Sequence, residues 1–126
     1  MHDAPRTVLV VDDDAHLLRL VKFRLERDGY DVTTAADGER ALERIRERPP
    51  DLCVLDIMMP RRSGFDVLRE LRADARLRAV KVILLTARAQ DHDIAAGLGL
   101  GADDYVTKPF SPRELSVRVG AQLTEE

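Results

Sequence analysis

The apolar positions of this chain follow two alternating rhythms, short unbroken runs of strand length and longer stretches spaced as on a helix. Thr7 to Val11 is a β-branched and aliphatic run, ended by Asp12, Asp13 and Asp14. Leu17, Leu18, Val21 and Leu25 then recur at helical spacing, opposite Arg19, Lys22, Arg24 and Glu26, until Gly29 stops the helix. Tyr30 to Thr34 predicts a second strand, polar enough to sit at a sheet edge. Asp37 opens a helix with Ala41, Leu42 and Ile45 facing inward, and Pro49 and Pro50 halt it. Leu52, Val54, Leu55 and Ile57 predict a buried central strand that delivers Asp56 to a loop ending at Pro60.

The second half repeats the alternation. Ser63 caps a helix with Asp66 three residues on, and Phe65, Leu68 and Leu71 form its apolar stripe. Val80 to Thr86 is a continuous buried strand, and Gln90 to Leu98 predicts a short helix weakened near its end by Gly97, Gly99 and Gly101, which makes it the most mobile of the helices. Asp104 to Thr107 is a last strand, left by Lys108 and Pro109. Ser111, Pro112 and Glu114 supply a cap, a first-turn proline and a capping-box acid for a final helix packed through Leu115, Val119 and Leu123. Five strands alternating with five helices predict an α/β fold, a doubly wound parallel sheet with right-handed crossovers.

Composition narrows the function classes. A chain of 126 residues suits one compact domain, and 20 Lys plus Arg against 23 Asp plus Glu, a net charge of −3, offers no basic patch for direct nucleic-acid binding. Cys53 is the only cysteine and sits in an apolar strand, a core position with no internal disulfide partner. No apolar run is long enough for a membrane helix, so a cytoplasmic protein is expected. His2, His16 and His92 fall in the tail or on helices and read as surface residues.

The chemistry gathers at one sheet edge. In open α/β sheets ligands bind at the carboxyl ends of strands, where strand order reverses. With the order 2-1-3-4-5, the acids at 12 to 14 and Asp56 meet at that reversal, and Thr86 and Lys108 leave the next two strands on the same side. Crowded carboxylates raise one another's proton affinity unless a cation compensates. A hard divalent ion, Mg2+ or alternatively Mn2+, fits such oxygen ligands. Asp13 and Asp56 are the expected direct ligands, Asp12 an outer or water-mediated one, and the backbone carbonyl of Met58 a further oxygen. Asp56 is also a candidate nucleophile toward phosphorus, with Lys108 and the Thr86 hydroxyl placed to balance phosphoryl oxygens. Met58 and Met59 read as loop packing, and Gly64 as permitting a helix start.

These residues resemble the response-regulator receiver domain of two-component signalling. VLVVDDD at 8 to 14, VLDIMMP at 54 to 60, Gly64, LLTA at 84 to 87 and GADDYVTKPF at 101 to 110 follow the family's order over almost the whole chain. The resemblance implies a flavodoxin-like (βα)5 fold over residues 1–126, without an effector domain in them. It further implies that Asp56 accepts phosphate from a sensor histidine kinase or phosphotransfer protein and slowly releases it. By the same resemblance, Asp12 and Asp13 are expected to hold Mg2+, Thr86 and Lys108 to contact the phosphoryl group, and Tyr105 to be a switch aromatic. The face made by the fourth helix, fifth strand and fifth helix then carries the signal.

DDYVTKPFSPREL resembles the subfamily whose receivers drive winged-helix DNA-binding domains and dimerise through that face. Asp103, Asp104, Glu114 and Arg118 keep part of its ion-pair set, but Ile94 stands where an arginine is usual and Gly99 where an acid is usual. A homodimer on phosphorylation therefore lacks some of the usual partners. Met58 and Arg88, two positions after Asp56 and Thr86, occupy places that influence phosphate lifetime in the family. The chain is either a single-domain regulator or a piece of a longer one cut after the fifth helix. The alternative to a phosphorylation-controlled module is an interaction module with the same fold that signals without phosphate. Flavin binding is set aside, because three acids stand where flavin phosphate would need a Ser/Thr/Gly-rich loop.

Overall fold

The computed structural model describes residues 4–87 and 91–124, with Asp91 and His92 described by backbone alone. His2, Arg88 and Gln90 lie outside the described residues, as does the His92 side chain. Five strands, β1 (Thr7–Val11), β2 (Asp31–Ala35), β3 (Leu52–Asp56), β4 (Lys81–Ala87) and β5 (Asp104–Lys108), alternate with five helices, α1 (Ala15–Arg27), α2 (Gly38–Glu47), α3 (Gly64–Ala73), α4 (Asp91–Gly99) and α5 (Pro112–Leu123). All strand pairs are parallel, in the order β2-β1-β3-β4-β5. The fold is the expected flavodoxin-like (βα)5 arrangement, with polar β2 at an edge.

The period of two in β1 and β3 explains why both faces are covered. Leu9, Val11, Cys53 and Leu55 join Ala41, Leu42 and Ile45 of α2 and Val67, Leu68 and Leu71 of α3 in one buried cluster. Val8, Val10, Leu52 and Val54 face the other way, onto Leu18, Val21 and Leu25 of α1 and Leu115, Val119 and Leu123 of α5. Cys53 is fully buried, and that burial drives its thiol far above the usual range, as befits a core residue.

Helix starts follow the sequence signals. Asp14, Asp37, Ser63 and Ser111 cap α1, α2, α3 and α5, and Ser63 with Asp66 forms the full reciprocal capping box. At Ser111 the recorded arm is the Glu114 N–H donating to the serine hydroxyl. Boundaries shift slightly from expectation. β2 starts at Asp31 because Tyr30 N–H still donates to Leu25 O, closing the end of α1, where Gly29 sits at φ 101°.

The three glycines of the α4 region have separate roles. Gly97 lies in the helix against β4, where a Cβ would stand 2.3 Å from Leu84 Cδ1. Gly99 ends the helix with open space around it, and Gly101 lies beyond it at φ 105°. Gly97 thus serves close packing as well as lowering helix propensity, and Gly101 belongs to the turn into β5.

Candidate functional site

Because every strand runs the same way, their carboxyl ends place Asp12, Asp56, Thr86 and Lys108 along one edge. Asp12 is fully buried. Its Oδ1 accepts from the Asp14 N–H at 3.0 Å, and its Oδ2 accepts from Lys108 Nζ at 2.8 Å. Asp56, only 5% exposed, has Oδ2 3.4 Å from the same ammonium, while Oδ1 accepts a long 3.4 Å bond from the Met58 N–H. One lysine from the end of the sheet thus stands against two buried acids.

That sharing is incomplete compensation. Burial, reinforced by the charge of Asp12, pushes the Asp56 carboxyl up to about 6, although Lys108 and the Met58 amide act the other way. Burial alone would lower the Lys108 ammonium, but its hydrogen bond to Asp12 and the charges of Asp56 and Asp12 leave it raised. Asp13 stands exposed beside the pair, and oxygens of Asp12, Asp13 and Asp56 all lie within 4.8 Å of one another. Three hard oxygen donors, two buried and one open to solvent, with negative charge in excess of the single lysine, fit a divalent cation.

Gly64 has a larger part than starting α3. A Cβ there would stand 2.5 Å from the Asp56 carbonyl oxygen and 2.9 Å from Ile57 Cα, so the bare backbone lets α3 abut the end of β3. The Gly64 N–H donates to Ile57 O at 3.0 Å, closing the loop between them. Within that loop Arg61 adopts φ 68°, and Arg62 pairs with Glu39 at the start of α2 and Glu70 of α3. The expectation of loop packing holds for Met59, which packs on the first cluster, but not for Met58, whose side chain is 71% exposed. The Met58 N–H turns toward Asp56 and its side chain turns to water.

Thr86 is 2% exposed at the end of β4, paired in register with Thr107. Tyr105 pairs with Leu84 and is partly buried against the first cluster. Around it, Asp104 accepts from Arg118 at 2.8 Å, and Asp103 Oδ2 accepts from Arg72 and from the Val82 N–H. Glu114 is exposed on α5 and Ile94 is half-buried on α4.

Sequence reasoning passed over Arg72. Its guanidinium donates to Gly101 O, Arg78 O, Val80 O and Asp103, tying the end of α3 to the entrances of β4 and β5. No local pattern marks it, since an arginine in the last turn of a helix reads as a solvated charge. The Lys108–Pro109 peptide is cis, for which Pro109 was the available signal. His16 is exposed, and among the described residues no helix is long and apolar enough to cross a membrane.

A family model described as the response regulator receiver domain matches residues 8–120. The chain is 48% identical over 118 residues to the alkaline phosphatase synthesis transcriptional regulatory protein PhoP of Bacillus subtilis, covering 94% of this chain and 48% of that one. It spans about half the length of the curated relatives it matches. Among solved structures, the receiver domain of Francisella response regulator 1452 is 39% identical with a TM-score of 0.86, covering 93% of this chain and 95% of that one. DrrB of Thermotoga maritima, an OmpR/PhoB homologue, is 37% identical with a TM-score of 0.85, covering 94% of this chain and 52% of that one. The chain therefore belongs to the response regulator receiver domain family of two-component signalling, and is related to its OmpR/PhoB-type regulators.

Proposed function

We propose that this chain receives a phosphoryl group on Asp56 from a sensor histidine kinase or phosphotransfer protein and passes the signal to a protein partner. The observation that carries this reading is the clustering of Asp12, Asp13 and Asp56 within 4.8 Å, with Lys108 against both buried acids. An Asp56 carboxylate oxygen attacks phosphorus, a P–O bond forms, and the P–N bond of the donor phosphohistidine breaks. Its electron pair returns to the imidazole.

Asp13, Asp56 and the Met58 carbonyl would hold Mg2+, or Mn2+ in its place, with Asp12 acting from the outer shell. When bound, the ion supplies positive charge against the crowded carboxylates and the incoming phosphate. Lys108 then has a second task, because the ammonium that now holds Asp12 and Asp56 is within reach of phosphoryl oxygens. The Thr86 hydroxyl donates to the same group from β4.

Movement of Thr86 toward the phosphate opens space for Tyr105 and alters the face of α4, β5 and α5. Ile94, Asp103, Asp104, Glu114 and Arg118 belong to that face in this reading. Asp104 and Arg118 already pair within one chain, and Asp103 already holds Arg72. A homodimer formed on phosphorylation would therefore exchange existing pairs and rely more on apolar contact around Ile94.

The test is incubation with Mg2+ and a small phosphodonor. One hydroxylamine-labile phosphoryl group is expected on the wild-type chain and none on Asp56→Asn. Intact protein that takes up no label refutes the assignment. Partner capture that is indifferent to phosphorylation would favour the alternative, a phosphate-independent interaction module.

A further inference from the structure

The loop that carries the chain from Asp56 into α3, residues 57–63, is pinned at both ends. At its start the Ile57 N–H donates to Leu85 O of β4, and the Gly64 N–H donates back to Ile57 O, each at 3.0 Å. At its far end Arg62 stands between two helices. Its Nε donates to Glu39 of α2 at 3.1 Å, its Nη1 donates to Glu70 of α3, and Glu70 also accepts from Arg46 of α2 at 2.7 Å. The backbone repeats the contact, because a Cβ on Gly38, the first residue of α2, would stand 2.5 Å from the Arg62 carbonyl oxygen. Bare backbone at Gly38 lets the start of α2 close on the loop, and the Arg62 side chain fastens it there.

Between these anchors the loop is taut. Arg61 holds φ 68°, a left-handed backbone that a bulky side chain keeps only where its surroundings impose it. Pro60 fixes its own φ just before it, and Met59 packs on the first core cluster. Slack admitted at Arg62 would let Arg61 return to negative φ, and the rotation would pass through Pro60 to the peptide between Met58 and Met59. Isolated surface ion pairs stabilise little. A planar guanidinium held by acids on two helices nevertheless fixes direction, and direction is what a small octahedral ion demands of its oxygens.

We infer that Arg62 is a positioning residue for the proposed cation site, holding residues 57–63 so that the Met58 carbonyl keeps its place beside the carboxylates of Asp13 and Asp56. This rests on the reading above in which those groups would hold Mg2+. Arg62 acts through the loop backbone rather than by contact with the ion. Its charge works against that role, since a positive group near the site repels a cation. Positioning and through-space charge therefore predict opposite signs when Arg62 is removed.

The test is the Mg2+ dissociation constant, followed through the amide resonances of isotope-labelled protein, for wild type, Arg62→Met and Arg69→Met. Arg69 is a neighbouring exposed arginine whose partner, Asp66, lies on its own helix, so its loss removes the same charge without releasing the loop. Arg62→Met is expected to raise the dissociation constant by about threefold or more, less than is usual for groups bonded directly to a ligand. Arg69→Met should leave it unchanged or lower it. A constant for Arg62→Met within about twofold of wild type, or below it, overturns the assignment, and so does an equal weakening in Arg69→Met. If metal-free Arg62→Met does not melt as wild type does, Gly38→Ala, which alters no charge and presses a Cβ on the Arg62 carbonyl, is held to the same limits. If wild type itself does not respond to Mg2+, the cation reading fails and this one falls with it, a result distinct from a wild-type response that Arg62→Met leaves intact.

Discussion

At Lys108 one ammonium serves two buried carboxylates, and the imbalance sets the pH behaviour of the metal-free protein. Asp56 ionises near 3.8 when unperturbed and at about 6 in the fold, so the native state binds its proton more tightly than the unfolded chain does. This group therefore costs nothing below about pH 4, costs more as pH rises toward 6, and exerts its full cost above that, on the order of 1–3 kcal/mol. Asp56→Asn is expected to raise metal-free stability near neutral pH and to lose most of that gain near pH 4, as read by urea denaturation at the two pH values. Lys108→Met should act in the opposite sense. Near neutral pH it leaves two uncompensated acids and costs about 2–4 kcal/mol, and the deficit relative to wild type should shrink at pH 5 as Asp56 takes up its proton. A deficit independent of pH would mean that Lys108 contributes packing rather than charge.

At the scale of elements, α4 is the informative helix, because two of its glycines have opposite reasons to be there. A Cβ on Gly97 would press into Leu84, which is buried in β4, so Gly97→Ala is expected to cost about 1–3 kcal/mol in urea denaturation. A methyl group on Gly99 would meet nothing within 4 Å, and Gly99→Ala should stabilise by about 0.5–1 kcal/mol through the unfolded chain's lost freedom. The same substitution, two residues apart, is thus predicted to change sign. Arg72 has a related structural task on the other side of the β5 entrance. Its bonds to three carbonyls and Asp103 join α3, β4 and β5, and Arg72→Met should cost about 2–3 kcal/mol by leaving those acceptors without their charged donor.

For the whole molecule, the proposed cation site ties binding to folding, because Asp56 joins Asp12 and Asp13 only once the fold has gathered them. A ligand that binds only the native state stabilises it by RT ln(1 + [L]/Kd), about 2.7 kcal/mol at a hundredfold excess over Kd. Thermal melting should therefore move upward with Mg2+ and return with chelator. Asp13 is the exposed member of the cluster. Asp13→Asn should remove most of the Mg2+ effect while changing metal-free stability by no more than about 0.5 kcal/mol, as is usual for a surface substitution. An unchanged Mg2+ response in that variant would exclude Asp13 as a ligand.

The alternation of five strands and five helices, the polar edge strand, the helix caps and the delivery of Asp56 to a strand end were all determined by the sequence itself. The reason is locality: each depends on a periodicity or a cap contained within a few residues. The choice of edge was legible too, since parallel strands can deliver their ends only to one side. Tertiary structure decided how the gathered groups divide their interactions. Lys108 lies closer to Asp12 than to Asp56, 96 residues away in sequence from the first, and no window of sequence expresses that preference. It likewise decided that Met58 faces water, that Gly64 clears the backbone of Asp56, and that Arg72 joins three elements. Such outcomes depend on distances between elements, which arise only when both faces of the sheet are packed.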